Sequence, residues 1–179
     1  MTRARPILGP LQSEFIEIAK RAWQKCGQNN DLYFSIDAML ERIRRERGRG
    51  TDFFALKTGT GGIIEAEFLV QAMQMRENVW EPNWTCAVDS LREREQLTQA
   101  ETDQLKQAYQ FLRRCESVLR RYENSSVSTL PVDLTDQFKF CRRLGFGNAE
   151  AFPQEYEVAR SSIHQIYNRR IKELAATAG

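Results

Sequence analysis

Residues 57–77 read Lys57-Thr58-Gly59-Thr60-Gly61-Gly62-Ile63-Ile64-Glu65-Ala66-Glu67-Phe68-Leu69-Val70-Gln71-Ala72-Met73-Gln74-Met75-Arg76-Glu77. From about Gly62 to Glu77 the apolar residues fall on nearly every side of a helix. Such a helix belongs at the centre of a bundle, buried by neighbours all round. Its polar residues are ordered: Glu67, Gln71 and Gln74 stand at i, i+4 and i+7 and share one face. Before it, three glycines and a lysine form a loop, and an extended apolar piece at Phe53 to Leu56 is the only plausible strand in the chain.

Outward from this segment the period is helical almost everywhere. Leu11, Phe15, Ile18, Ala22 and Trp23 mark a first helix, with Gly27 as its C′ residue. Ser35 or Asp37 starts a second, with Ala38, Met39 and Ile43 inward; it ends in the basic run Arg42 to Arg49. Pro82-Asn83-Trp84 is a turn, and Thr85 caps a short fourth helix through Ala87, Val88 and Leu91. Thr98-Gln99-Ala100-Glu101 has the capping-box form and opens a long fifth helix with Leu105, Ala108, Tyr109, Leu112, Cys115, Leu119 and Tyr122 inward. A serine-rich loop spans Asn124 to Pro131. Thr135 caps a sixth helix, closed by Gly145. The last helix starts near Pro153, with Tyr156, Ala159, Ile163, Ile166, Tyr167 and Ile171 inward. The fold class is all-α: a bundle of about seven helices with a glycine-rich loop before a central buried helix.

A chain of 179 residues is long enough for one domain with a full core and no staples. Lys and Arg total 26 against 24 Asp and Glu, a net charge of +2. That balance gives no reason to expect a nucleic-acid partner; the interleaved Glu41 and Glu46 make the arginine run a solvated helix end. No apolar stretch approaches the ~20 residues of a membrane span, and no signal peptide opens the chain. Cys26, Cys86, Cys115 and Cys141 lack a C-x-x-C pair and accompany one histidine, so they read as reduced, mostly buried thiols of a cytoplasmic protein with no metal site. His164 reads as a surface or internally satisfied residue. Trp80 and Trp84 read as packing beneath the Pro82 turn, and Met39, Met73 and Met75 as core filling.

One segment carries chemistry. Glycines permit positive φ and close approach, and the free N–H groups of a helix start favour an anion. Lys57, Gly59, Gly61 and Gly62 are therefore candidates to line a cleft or touch a phosphate, with Glu65 and Glu67 beside them. Those two carboxylates stand about 200° apart on a helix, so at most one of them faces a given site. No G-K-[ST] follows, so this is not a Walker loop. The structural alternative is a loop whose glycines only allow tight packing.

The segment also resembles the K-x-G-x-G-G-I-x-[DE]-x-E-F signature of the glutamine synthetase adenylyltransferase family, in the helical domain that follows each nucleotidyltransferase domain. That helical domain is akin to the one in the PII uridylyltransferases. Thr2-Arg3-Ala4-Arg5-Pro6, the basic run at Arg42 to Arg47, Ala108-Tyr109 with Phe111-Leu112-Arg113-Arg114, and Arg142-Arg143-Leu144-Gly145-Phe146 with Ala149 to Phe152 resemble further family segments, in order.

The resemblance implies a single helical domain over residues 1–179, with 1–10 the remnant of a linker from a nucleotidyltransferase domain and 175–179 a frayed tail. It implies a cleft-forming, partner-binding part of an enzyme that moves AMP from ATP to glutamine synthetase or removes it. Catalytic residues are expected from the missing nucleotidyltransferase domain, since G-S followed by D-x-D does not occur here; the chain alone is expected to be inactive and to bind no cofactor, with ATP and magnesium serving the parent enzyme. Arg3 and Arg5 would face that missing domain. Glutamine synthetase and a PII-type signal protein are the implied partners. Where the family usually has an acidic residue before Leu-Lys, this chain has Ala55. The competing expectation is a stand-alone helical interaction module with no catalytic role.

Overall fold

A computed structural model describes residues 9–47, 54–123, 129–172 and 175. Seven α-helices follow in order: α1 (Gln12–Gly27), α2 (Leu32–Arg47), α3 (Ile63–Arg76), α4 (Trp84–Glu93), α5 (Gln99–Glu123), α6 (Leu134–Arg143) and α7 (Ala151–Tyr167), the last running on into a π-helical turn, Asn168–Lys172. No strand occurs among the described residues. The all-α bundle expected from the periodicity is the fold observed.

α3 is the axis. It packs against α1, α2, α4, α5 and α7, and α5 and α7 lie along each other. Ala66, Leu69, Val70 and Ala72 are fully buried, as a helix apolar on all sides requires. Around them close Leu91, Leu105, Leu112, Leu119, Ile163 and Ile166. Each such side chain contributes on the order of 1.5–3 kcal/mol through removal from water. Gln74 is buried too, and its amide donates to the Glu81 carbonyl at 2.9 Å.

The helix ends show where local reading was right and where it slipped. The capping box forms: the Thr98 N–H donates to Glu101 Oε2 at 2.9 Å and the Glu101 N–H to Thr98 Oγ1 at 3.2 Å. Gly145 has φ +87° and closes α6. The caps of α4 and α6 are not Thr85 and Thr135, however. Asn83 Oδ1 accepts from Thr85 and Cys86, and Asp133 Oδ1 from Thr135 and Asp136. An Asn or Asp two positions earlier reaches the first free N–H groups better than a threonine already inside the turn. α2 begins at Leu32, earlier than Ser35 or Asp37, from a turn organised by Asn29. α7 begins at Ala151, and Pro153 sits within its first turn, where no intrahelical N–H is needed. Gly27 is not a left-handed cap either. It is the last helical residue of α1, and a Cβ there would lie 1.8 Å from the Met75 carbonyl oxygen. It is a contact glycine that lets α1 touch α3.

Four further expectations are corrected. Residues 54–58 form turns instead of a strand, with Leu56 N–H bonded to Phe54 O. On α1, Leu11, Phe15 and Ile18 are exposed while Ala19, Trp23 and Gly27 are buried. On α2, Ala38 and Met39 face solvent, and Leu32 and Leu40 face the core. Cys115 and Cys141 are buried, but Cys26 and Cys86 are exposed. The two tryptophans do pack beneath the turn: Trp80 sets its edge on Trp23, and Trp84 stacks on Tyr109 at 3.9 Å. The linker through residue 8 with Arg3 and Arg5, the basic run beyond Arg47, most of the serine-rich loop, the side chain of Tyr122 and the tail beyond Ala175 lie outside the described residues.

Candidate functional site

The glycine loop is folded onto its own helix. The N–H groups of Gly62, Ile63 and Ile64, offered to an anion by the sequence, donate to the carbonyls of Gly59, Leu56 and Lys57 at 2.9, 3.2 and 3.1 Å. Gly61 has φ +69°, and a Cβ there would meet the Arg160 carbonyl oxygen at 2.0 Å. Both constraints demand glycine. Arg160 of α7 also donates from Nε to the Thr60 carbonyl at 2.8 Å. A Cβ on Gly62 would lie 2.7 Å from Lys57 O. The loop is thus clamped between the start of α3 and the middle of α7.

Glu65 and Glu67 diverge, as their spacing requires. Glu65 is fully buried and gathers three elements. Its Oε2 accepts from the Gly61 N–H at 2.5 Å and from the guanidinium of Arg44 on α2. Its Oε1 lies 2.7 Å from His164 Nδ1 on α7, and Asn168 contacts the other ring nitrogen at 3.0 Å. His164 is internally satisfied, as expected. Beside this group the Tyr167 hydroxyl donates to Asp37 Oδ1 at 3.2 Å; burial, and then the Asp37 carboxylate, push the phenol well above its ordinary range. Glu65 therefore holds the loop, α2 and α7 together. Glu67 instead accepts from the Tyr109 hydroxyl on α5 at 3.1 Å.

Lys57 reaches α5. Its ammonium is 3.0 Å from Glu116 Oε1; Arg120 Nη2 is 2.8 Å from the same oxygen and Arg113 Nη1 is 2.6 Å from Oε2. Ala55, at the position where an acidic residue is usual, is buried. Among the described residues no three His, Cys, Asp or Glu side chains gather as metal ligands, and no helix is long and apolar enough to cross a membrane. Two surface recesses, about 260 Å³ between α5 and α7 and about 340 Å³ beside Gly145 and Gly147, are lined by no residue of the glycine loop.

Sequence reading did not find Arg44, Glu116 and Arg113 as partners of the loop. Glu116 had a signal. It lies beside Cys115 among the inward residues of α5, where an acid is rare unless paired. Arg44 had none, because nothing local separates it from the exposed Arg42 and Arg45.

The family model described as GlnD PII-uridylyltransferase matches residues 37–171. A bifunctional glutamine synthetase adenylyltransferase/adenylyl-removing enzyme from Shewanella loihica is 33% identical over 76% of this chain, which spans 15% of that protein. Proteins of the same description from Rhodopseudomonas palustris and Mesorhizobium japonicum are each 28% identical over 94% and 93% of this chain, in both cases 18% of their length. The chain thus corresponds to less than a fifth of the relatives it matches.

Proposed function

This chain belongs to the GlnD PII-uridylyltransferase family, in the branch resembling glutamine synthetase adenylyltransferases, and from that membership we propose that it is a helical domain of such an enzyme. In this reading it packs beside a nucleotidyltransferase domain, walls the cleft in which AMP is moved to or from glutamine synthetase, and holds no catalytic residue itself. The observation that carries the reading is the match along nearly the whole chain to one portion of each bifunctional relative.

The structure supports a division of labour within the loop segment. Glu65, with no exposed surface, is a positioning residue: it sets the loop against α2 and α7. Lys57 and Glu67, both half-buried, are the residues offered to the cleft, and Gly59, buried with its N–H on the Ala55 carbonyl, gives the turn its shape together with Gly61 and Gly62. Arg3 and Arg5 belong to the proposed interface with the catalytic domain. ATP and magnesium are the substrate and metal of that domain, and glutamine synthetase and a PII-type protein are the proposed partners.

The test is AMP transfer from ATP to glutamine synthetase, measured with the chain alone and with the chain mixed with a nucleotidyltransferase domain taken from a relative. Binding of the two, with transfer only in the mixture and a loss on Glu67→Gln in a chain that stays folded, is expected. A second reading, a stand-alone interaction module, is favoured by one feature: the exposed apolar residues Leu11, Phe15 and Ile18 on α1. Tight binding of glutamine synthetase by the chain, indifferent to the nucleotidyltransferase domain, would establish that reading instead.

A further inference from the structure

No side chain from Leu11 to Ile18 is buried, and only Ile16 is half-buried, so the first half of α1 stands clear of the body. Its apolar residues are nonetheless ordered. Leu11, Phe15 and Ile18 are 67%, 42% and 57% exposed, and half-buried Ala22 continues the row. The steps are four, three and four residues, the d–a–d–a spacing of a coiled-coil seam. Single exposed apolar residues need no explanation, but a row at seam spacing marks a contact surface. The buried line of Ala19, Trp23 and Gly27 lies to one side of this row. The other side carries charge: Glu14 and Arg21 are both exposed, and both fall at the g position beside the seam.

Those two charges select the occupant. They are opposite in sign, the acid towards the start of the row and the base towards its end. When two copies of this helix run antiparallel, g positions face each other across the seam. Phe15 then packs on Ile18 of the second copy, Leu11 on its Ala22, and Glu14 meets Arg21 twice. A parallel pairing instead sets Glu14 level with Glu14 and Arg21 level with Arg21. One patch meeting its own copy is what a two-fold dimer requires. Within one copy Arg21 is 3.3 Å from Glu17, but the two side chains are 76% and 69% exposed. A pair so open to water is worth little, and the guanidinium keeps N–H groups for a second carboxylate. Glu17 and Lys20 point away from the row, and Lys25 extends its basic end.

We propose that two copies of this chain associate through α1, antiparallel about a two-fold axis between Phe15 and Ile18, with the Glu14–Arg21 pairs fixing the orientation. The seam is only about 17 Å long, too short to reach the roughly 800 Å² per partner of a stable dimer. The dimer is therefore weak and reversible, with a Kd on the order of 100 μM. It does not depend on the cleft reading above, and the AMP-transfer assay tests that reading separately.

The test is sedimentation velocity of the full chain at low salt, at concentrations on either side of that Kd. A monomer–dimer equilibrium is expected. Phe15→Glu, folded by circular dichroism, leaves only monomer. Glu14→Lys and Arg21→Glu each weaken the dimer about tenfold, because each puts two like-charge pairs in place of two attractive ones. The double variant carrying both changes regains the wild-type affinity. An equimolar mixture of the two single variants forms a heterodimer more tightly than either pairs with itself. Monomer at every concentration, larger oligomers in place of a dimer, a dimer indifferent to Phe15→Glu, or a double variant no better than the singles overturns the proposal. So does a chain that stays monomeric while binding a relative's nucleotidyltransferase domain or glutamine synthetase through Phe15; that result assigns the row to that partner instead.

Discussion

The start of α3 and the outer face of α1 are both rich in apolar sequence, yet they fare in opposite ways. Around Ile63 to Met73 nearly every apolar side chain is buried, and even the glutamate among them is enclosed and paired. On α1, Leu11, Phe15 and Ile18 form a regular stripe that faces water, while Ala19, Trp23 and Gly27 make the contact with the body. The buried line is turned about 100° from the stripe, one residue's rotation. A helix apolar all round has only one place to go. A helix with a single stripe has a choice, and here a contact glycine and an indole that donates to the Val79 carbonyl at 3.2 Å decided it.

The hub at the start of α3 should therefore be brittle and the α1 surface forgiving, and the contrast can be broken experimentally. The largest effect is expected for Gly61→Val. It places a β-branched residue at φ +69° against the Arg160 backbone, and the protein should fail to fold or lose most of its stability in urea unfolding. A melting temperature unmoved by this change would refute the tight turn.

Next comes Glu65→Ala. It leaves Arg44 without its buried partner, and breaking a buried pair costs about 3–5 kcal/mol. Glu67→Ala removes one tyrosine hydrogen bond, a loss of about 1 kcal/mol. Chemical denaturation of the two variants side by side sharpens the distinction between a carboxylate that holds the loop against α2 and α7 and one that meets only a tyrosine hydroxyl on α5 and is proposed to face the cleft; equal losses would erase it.

A smaller effect is expected from acid. Burial alone would raise the Glu101 pKa, but Arg170 and the Thr98 N–H hold it below the ordinary value. A carboxyl depressed in the folded state stabilises at pH above its unfolded pKa, and that stability is lost as pH falls through the folded value. The melting temperature should fall with acidification in wild type, and less steeply in Glu101→Gln, which has no such proton to take up. Parallel slopes would remove Glu101 from the account.

The smallest effect belongs to α1: Phe15→Ser should change stability by no more than about 0.5 kcal/mol. A larger loss would mean that the stripe is covered.

Much of the architecture was legible before any coordinates. The Thr98–Glu101 box, the Gly145 stop and the all-round apolar character of α3 are local statements, and each holds in the fold. The cap errors at Thr85 and Thr135 were slips of two residues between neighbouring candidates of similar chemistry. The candidate site was legible as a segment but not as a geometry. Lys57, Glu65 and Glu67 could be picked out, and their divergence followed from helical spacing. That Glu65 would meet Arg44 and His164, 21 and 99 positions away, could not.

By itself, then, the sequence determined the helices, the Thr98–Glu101 capping box, the Gly145 stop and the one helix that must lie at the centre, because these depend on groups within a few residues of one another. Only the tertiary structure decided which stripe of α1 turns inward, which arginine of a basic run reaches the buried Glu65, and that Lys57 joins Arg113 and Arg120 around Glu116. Those outcomes depend on which surfaces meet across the bundle, and a buried charge selects its partner by position in space, whatever the distance along the chain.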